Sequence, residues 1–197
     1  MAAVAIIAGG RGARLGGQVK GLLVVDGQRI VDRQRAALGA LFDRVIIVAN
    51  DPEPWRDTGL TVVGDRWPDA GPLAGIEAAL AHLAPDADSV VCVAGDMPFI
   101  EPAVLRLLRD APPDTDAVVP RVGGQSQPLL ARYGTRLQPL IAARLAASRR
   151  AVHRLFDEVK VTWLDEAALR AVDPALRSLR DVNTPADLDR ARAPGGQ

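Results

Sequence analysis

A short apolar segment near the start of the chain runs directly into a loop rich in glycine and basic residues. Residues 4–8 have the pattern of a strand buried on both faces, as found in parallel sheets. Residues 9–21 hold six glycines together with Arg11, Arg14 and Lys20. Glycine lets backbone N–H groups approach an anion closely, and the cations can supply countercharge. The sequence therefore predicts a phosphate-binding loop at the carboxyl edge of a sheet.

Apolar runs rich in β-branched residues recur at residues 44–49 and 89–94, with segments long enough for helices between them. This alternation is typical of a parallel sheet flanked by helices. The same criteria predict shorter strands at residues 60–64, 117–120, 129–133 and 159–164. They predict helices at residues 31–42, 73–83, 101–108, 137–147 and 151–156, and a last helix from residue 184. Because no repeat or linker divides the sequence, we expect residues 1–197 to form one α/β domain.

The composition argues against several classes of protein. Lysine and arginine together number 24, as do aspartate and glutamate, so the chain lacks the net charge that attracts nucleic acid or an anionic membrane. Cys92 is the only cysteine, which excludes an intramolecular disulfide and a cysteine-based zinc site. No apolar run approaches the roughly 20 residues needed to cross a bilayer. We therefore expect a cytoplasmic protein that binds neither nucleic acid nor membranes.

Two common nucleotide-binding loops do not fit the glycine-rich segment. A Walker A loop needs Gly-Lys followed by Ser or Thr, but Lys20 lies between Val19 and Gly21 and no hydroxyl follows it. A dinucleotide fingerprint beginning at Gly10 would require a small residue at its sixth position, where Leu15 stands. A phosphate-binding loop of a third kind is therefore expected.

Five segments point to one family. Residues 7–20 read Ile-Ala-Gly-Gly-Arg-Gly-Ala-Arg-Leu-Gly-Gly-Gln-Val-Lys, and residues 71–76 read Gly-Pro-Leu-Ala-Gly-Ile. Residues 95–99 read Gly-Asp-Met-Pro-Phe, residues 127–129 Gln-Pro-Leu and residues 181–185 Asp-Val-Asn-Thr-Pro. In this order they resemble the nucleotidyltransferases, and among them the molybdenum cofactor guanylyltransferases. Val19 departs from the family pattern, which usually has Asp at this position. The absence of that Asp is expected to affect the rigidity or pairing of the loop more than the reaction.

The resemblance implies a fold, a reaction and ligands. The fold would be a three-layer, Rossmann-like nucleotidyltransferase fold with a mostly parallel sheet flanked by helices. The reaction would transfer GMP from GTP to the phosphate of molybdenum-bound molybdopterin and release pyrophosphate, with Mg²⁺ as cofactor. GTP and molybdenum-molybdopterin would be the partners, and other molybdenum cofactor maturation proteins are further candidates.

Four residues are candidates for the chemistry. Asp96 comes just after the strand at residues 89–94, where its carboxylate can reach a metal held by phosphate oxygens. Asn183 is a second candidate metal ligand, although its position just before Pro185 also suits a helix cap. Lys20 and Arg14 are assigned to the phosphates, because cations can stabilise the charge that develops on the phosphorus centre and on pyrophosphate.

The resemblance also assigns binding residues. Contacts to GTP are expected from Ile7, Ala8, Gly9, Gly10, Lys20, Asn50, Asp65, Gly71, Pro72, Leu73 and Asp96. Contacts to the second substrate are expected from Gln127, Pro128, Arg150 and Asn183.

Several alternatives stay open at this point. A molybdopterin cytidylyltransferase or a sugar-phosphate nucleotidyltransferase would use the same loop and metal. A nucleotide-binding regulator without turnover is an alternative of another class, which the valine at position 19 makes conceivable. The short, single-domain length and the Gly-Pro-Leu-Ala-Gly segment favour the guanylyltransferase.

Overall fold

Strands and helices alternate along residues 1–9 and 18–192, the part of the chain that the computed structural model describes. The strands there are β1 (Ala3–Ile7), β2 (Val24–Val25), β3 (Gln28–Arg29), β4 (Arg44–Val48), β5 (Thr61–Val63), β6 (Ser89–Ala94), β7 (Ala117–Val122), β8 (Gln125–Ser126), β9 (Leu130–Gly134) and β10 (Val161–Leu164). The α-helices are α1 (Ile30–Gly39), α2 (Pro72–Leu83), α3 (Pro102–Arg109), α4 (Gln138–Ala146), α5 (Val152–Leu155), α6 (Glu166–Arg170) and α7 (Pro185–Arg192).

The central sheet has the strand order β10-β7-β9-β6-β1-β4-β5, and β8 pairs with β7 at one end of that strand. Neighbouring strands are parallel, except that β9 runs antiparallel between β6 and β7 and that the short β8 pairs antiparallel with β7. The expected mostly parallel α/β fold is confirmed. Because β9 runs the other way, its first residues lie at the edge where β1, β4, β5 and β6 end. Segments distant in sequence therefore meet there.

Helices cover both faces of the sheet. Side chains of β1 alternate between the two faces, so that Ala3, Ala5 and Ile7 join the core beneath α2 and α4 while Val4 and Ile6 join the core beneath α1 and α3. All five are buried, as predicted for a strand in the middle of a parallel sheet. The arrangement is the expected three layers. A smaller apolar cluster of Leu23, Val25, Ile30 and Val182 joins the β2–β3 hairpin to the segment before α7.

Several short elements were not predicted from the sequence, among them the β2–β3 hairpin and the two elements α6 and β8. Helix α6 (Glu166–Arg170) is stabilised by Asp165, whose side chain accepts a hydrogen bond from the backbone N–H of Ala168. Strand β8 (Gln125–Ser126) pairs with the end of β7 across Gly123 and Gly124, both of which have positive φ angles. Both elements are too short to show a hydrophobic period, so local capping and turn residues were the available signals. Within the described residues, no helix combines the length and hydropathy needed to span a membrane.

Helix α2 packs unusually close to the central strand at Gly75. A Cβ atom at position 75 would lie 2.6 Å from Cγ2 of Ile7, a separation that side chains do not tolerate. Glycine is therefore needed in the first turn of this helix for steric reasons, despite its low helix propensity. The contact holds the start of α2 next to the end of β1.

The Gly75→Ala variant tests this contact. We expect its free energy of unfolding to fall by about 1–3 kcal/mol, because the new methyl group forces Ile7 or the helix to move. Gly39→Ala is the matched control, since a Cβ atom at that helical position meets nothing within 4 Å. It should be neutral or stabilising by up to about 1 kcal/mol. Urea denaturation of both variants measures the difference, and equal effects would contradict the steric explanation.

Candidate active site

A cleft of about 120 Å³ lies at the carboxyl edge of the sheet. It is bounded by the end of β1, by the turn after β6, by the start of β9 and by a short 3-10 helix at Lys20–Leu22. Its lining residues are Ile7, Ala8, Gly9, Lys20, Gly21, Ala94, Gly95, Asp96 and Leu129. This is the edge at which open α/β sheets bind ligands.

Small residues let the walls of the cleft approach each other. The backbone N–H of Gly95 donates to the carbonyl of Ile7 at 2.9 Å, and a Cβ atom on Gly95 would lie 3.1 Å from Cα of Ala8. A Cβ atom on Gly21 would lie 2.8 Å from Cη2 of the buried Trp55 and 3.1 Å from the carbonyl oxygen of Gly95. Gly21 and Gly95 therefore bring the backbone beside Lys20 against the turn that carries Asp96.

Lys20 and Asp96 form an ion pair inside the cleft. The Nζ atom of Lys20 donates to Oδ2 of Asp96 at 2.9 Å and also donates to Oδ1 of Asn183. The side chains of Lys20 and Asp96 are 27% and 18% exposed, so both can reach a ligand in the cleft. Lys20 thus contacts both Asp96 and Asn183, which lie 76 and 163 residues away from it along the chain.

The segment before α7 holds Asn183 at this position. The backbone N–H of Val182 donates to the carbonyl of Asp96 at 2.9 Å, which attaches the segment to the turn after β6. Asp187 then accepts hydrogen bonds at 2.8 Å from both the backbone N–H and the hydroxyl of Thr184. Thr184, rather than Asn183, is therefore placed to cap α7. The Asn183 side chain instead accepts from Lys20 through Oδ1 and donates to Asp181 through Nδ2.

The donor set around Asp96 fits a magnesium ion bound together with phosphate. Asp96 offers a carboxylate and Asn183 an amide oxygen, which are hard oxygen ligands of the kind Mg²⁺ prefers. Within residues 1–9 and 18–192, no group of three or more His, Cys, Asp or Glu side chains could hold a metal ion. Mg²⁺ is commonly bound by one or two carboxylates with substrate phosphates and water. A metal in this cleft would therefore need a phosphate ligand to complete its coordination.

Asn50 and Asp65 follow the two strands beyond β1 and are bonded to each other. Nδ2 of Asn50 donates to Oδ2 of Asp65 at 2.9 Å, and the backbone N–H of Asp65 donates to Oδ1 of Asn50 at 2.8 Å. The other carboxylate oxygen of Asp65 accepts from the backbone N–H of Trp67 at 2.9 Å. This pair links the ends of β4 and β5. Because a carboxylate has about four acceptor sites, Asp65 can still accept hydrogen bonds from a ligand.

The Gly-Pro-Leu segment forms the start of α2. Gly71 has φ 75° and precedes the helix, and Pro72 occupies its first turn. The Leu73 side chain is fully buried in the core. Only the backbone of Leu73 can therefore contact a ligand. The backbone N–H groups at the N-terminus of a helix of this length are suited to binding an anion.

The residues expected to contact the second substrate lie in three places. Gln127 and Pro128 precede β9, next to Leu129 in the cleft wall, and the carbonyl of Pro128 accepts a hydrogen bond from the Tyr133 hydroxyl at 2.8 Å. Asn183 contacts Lys20. Arg150 instead donates to the carbonyl of Asp69 at 3.1 Å, which attaches it to the loop before α2.

Known proteins resemble this chain over most of its length. Residues 4–163 match the family of the MobA-like NTP transferase domain. The chain belongs to this family. A protein of Desulfosudis oleivorans named molybdenum cofactor guanylyltransferase is 31% identical, with 95% of this chain and 93% of the relative covered. A protein of Pelotomaculum thermopropionicum named probable molybdenum cofactor guanylyltransferase is 37% identical, with coverages of 95% and 90%.

A solved structure supports the assignment of the MobA-like family. The crystal structure of molybdopterin-guanine dinucleotide biosynthesis protein A from Archaeoglobus fulgidus superposes with a TM-score of 0.82 at 27% identity, covering 96% of each chain. The structure of 4-diphosphocytidyl-2C-methyl-D-erythritol synthase from Anaerococcus prevotii superposes with a TM-score of 0.73 at 15% identity. The second likeness shows the fold alone.

Some residues of the family's opening loop lie outside the described part of the chain. These are Gly10, Arg11 and Arg14, so the roles expected of them stay predictions. Val19, which replaces the family's usual Asp, is described. Its carbonyl accepts from the backbone N–H of Leu22 at 3.0 Å, and its half-buried side chain packs against the core beneath α1 and α3. Valine at this position therefore contributes apolar packing.

Sequence reasoning missed two buried polar residues, Gln34 and Glu77. Gln34 of α1 is 1% exposed and donates from Nε2 to the carbonyls of Ala94 and Met97. Glu77 of α2 is fully buried, and its Oε1 accepts hydrogen bonds from Arg66 and, at 2.7 Å, from Gln138. A signal was available for Gln34, because it lies on the same helical face as the apolar residues of α1.

Proposed function

We propose that this protein transfers GMP from GTP to the phosphate of molybdenum-bound molybdopterin. A phosphate oxygen of molybdopterin attacks the α-phosphorus of GTP, the bond from that phosphorus to the bridging oxygen breaks, and pyrophosphate leaves. The products are molybdopterin guanine dinucleotide and pyrophosphate. The observation that supports this most is the Lys20–Asp96 ion pair at the sheet edge, in a chain whose relatives are named guanylyltransferases.

The residues of the cleft have complementary roles in this proposal. Lys20 and Arg14 bind the phosphates of GTP and stabilise the charge that develops on the α-phosphoryl group and on pyrophosphate. Asp96 and Asn183 would hold Mg²⁺, which would supply positive charge beside the triphosphate. Lys20 changes partners on GTP binding, because its ammonium leaves Asp96 and contacts a phosphate.

The remaining sites divide between the two substrates. The backbone of Ile7, Ala8, Gly9 and Gly10, the Asn50–Asp65 pair and the start of α2 at Gly71, Pro72 and Leu73 bind GTP in this proposal. Gln127, Pro128, Arg150 and Asn183 bind the molybdopterin substrate. The N1–H and the amino group of guanine are hydrogen-bond donors, so guanine needs an acceptor. The carboxylate of Asp65 is an acceptor in both of its observed hydrogen bonds and is therefore suited to guanine. Residues 1–197 act as one domain, and a cytoplasmic location is part of the proposal.

Pyrophosphate release tests this function. The purified protein is mixed with Mg²⁺, molybdenum-bound molybdopterin and one of the four NTPs, and pyrophosphate is measured over time. We expect release that requires both the molybdopterin and GTP. Preference for CTP would make it a cytidylyltransferase, and turnover with a sugar phosphate would make it a sugar-phosphate nucleotidyltransferase. GTP binding without turnover in any mixture would identify a regulator.

The Asp96→Asn variant tests the metal-binding role. Asparagine can still accept a hydrogen bond from Lys20 but has no charge for a cation, so we expect kcat to fall by about 100-fold or more with the fold intact. Asp86→Asn is the control, because Asp86 also forms an ion pair, with Arg44 at 3.1 Å, outside the cleft. Steady-state kinetics and circular dichroism of both variants give the comparison. A kcat near the wild-type value would remove Asp96 from the mechanism.

The Lys20→Met variant separates binding of phosphate from binding of metal. We expect GTP affinity to fall by about tenfold or more, because a charge-assisted contact to phosphate is lost. Binding of Mn²⁺ without nucleotide should be as tight as in the wild type or tighter, because Asp96 loses its internal cation. Lys160→Met is the control, since Lys160 is the only other lysine and pairs with Asp114. Calorimetry with GTP and electron paramagnetic resonance with Mn²⁺ measure the two effects, and a parallel loss of both affinities would contradict the proposed exchange.

A further inference from the structure

Helix α1 presents a polar side chain to the interior at Gln34. Its neighbours on that buried face are Ile30, Val31 and Leu38, none of which is exposed, and Gln34 itself is 1% exposed. An amide in such surroundings loses its hydration, so it must be hydrogen-bonded to be tolerated. The contacts of Gln34 therefore indicate why this position is polar.

Both contacts of the Gln34 amide are to the turn that carries Asp96. Nε2 donates to the carbonyl of Ala94 at 2.7 Å and to the carbonyl of Met97 at 2.9 Å. Oε1 is buried and has no hydrogen-bond partner among the described residues. Turning the amide over would bring this oxygen against two carbonyl oxygens. The two carbonyls thus require two N–H donors at one point, which Nε2 of Gln34 supplies. The arrangement leaves Oε1 of Gln34 buried without a hydrogen bond, which costs free energy.

The turn itself is weakly closed. Ala94 and Met97 are its first and last residues, and the hydrogen bond from Met97 N–H to the Ala94 carbonyl is 3.4 Å long. Asp96 is the third residue of this turn, so the direction of its carboxylate depends on how the turn is held. Gln34 bridges the carbonyls at the two ends of the turn and supplements the long bond between them.

Other contacts hold the neighbouring backbone without bridging the turn. The N–H of Gly95 donates to Ile7, and the carbonyl of Asp96 accepts from Val182, each at 2.9 Å. The guanidinium of Arg33, next to Gln34 on α1, donates from Nε to the carbonyl of Pro98 at 3.1 Å. Helix α1 therefore contacts this turn and the residue that follows it through two adjacent side chains.

The geometry points to Gln34 as a positioning residue that orients Asp96 for metal binding. Gln34 acts from inside the core, through the turn, and touches neither substrate. The inference rests on the proposed role of Asp96 and adds a residue outside the cleft to the same site. Residues that orient a metal ligand in this way change metal affinity or activity by about 10- to 100-fold when they are replaced.

The Gln34→Met variant tests this inference, because methionine has nearly the same length but no donor. We expect its dissociation constant for Mn²⁺ in the presence of GTP, measured by electron paramagnetic resonance, to rise about tenfold or more, and kcat to fall by a similar factor. GTP affinity without metal should change less than twofold. Leu38→Val is the control, since Leu38 lies on the same buried face of α1. It perturbs the core and should leave Mn²⁺ binding unchanged.

The ¹⁵N NMR signals of the Gln34 side chain and the Mn²⁺ affinity of Asp96→Asn provide two further tests. If Gln34→Met does not fold, the side-chain amide of Gln34 is followed by ¹⁵N NMR in the wild-type protein. Its hydrogens should exchange slowly and their resonances should shift when Mg²⁺ and GTP are added. Unshifted resonances, or an unchanged Mn²⁺ affinity in folded Gln34→Met, would overturn the role of Gln34. If Asp96→Asn also leaves Mn²⁺ affinity unchanged, the proposed metal site fails as well, whereas a weakened Asp96→Asn confines the failure to Gln34.

Discussion

The close approach of Gly95 to the end of β1 determines where the other groups of the cleft can lie. Gly95 donates to Ile7 at 2.9 Å, and any side chain on it would meet Ala8. This contact places the turn after β6 beside the glycine-rich loop that follows β1. Asp96 then comes within reach of Lys20, and the carbonyl of Asp96 can receive the N–H of Val182. The C-terminal segment and Asn183 therefore depend on a contact between two small residues.

Much of the fold could be predicted because its strands are buried on both faces. Continuous apolar runs at residues 44–49 and 89–94 correspond to β4 and β6 within one residue. The direction of β9 could not be predicted, because an apolar run has the same pattern in a parallel and an antiparallel neighbour. Tertiary contacts determine its insertion between β6 and β7. This insertion matters for the site, since it brings Leu129 to the cleft wall.

The site residues were predictable where a motif combined glycines with a charged side chain. They were less predictable where packing in the core determines the position of a side chain. Lys20 and Asp96 stand in segments whose glycines and strand ends indicate their place, and the structure brings them into contact. Gln34 stands in a helix whose pattern indicates only a buried face, and its side chain donates a hydrogen bond to a turn 60 residues away. The buried side chain of Leu73 likewise follows from packing of α2, and it limits that residue to backbone contacts.

In the proposed mechanism, the Lys20–Asp96 ion pair favours binding of a metal and a triphosphate together. The Lys20–Asp96 pair is partly exposed, so its net stabilisation is about 0–1 kcal/mol and its exchange for other partners costs little. A triphosphate alone would draw Lys20 away and leave the Asp96 carboxylate close to phosphate oxygens of the same sign. A cation alone would meet Asp96 already neutralised by Lys20. When both bind, each charge gains a new partner of opposite sign, so neither Lys20 nor Asp96 is left unpaired in the cleft.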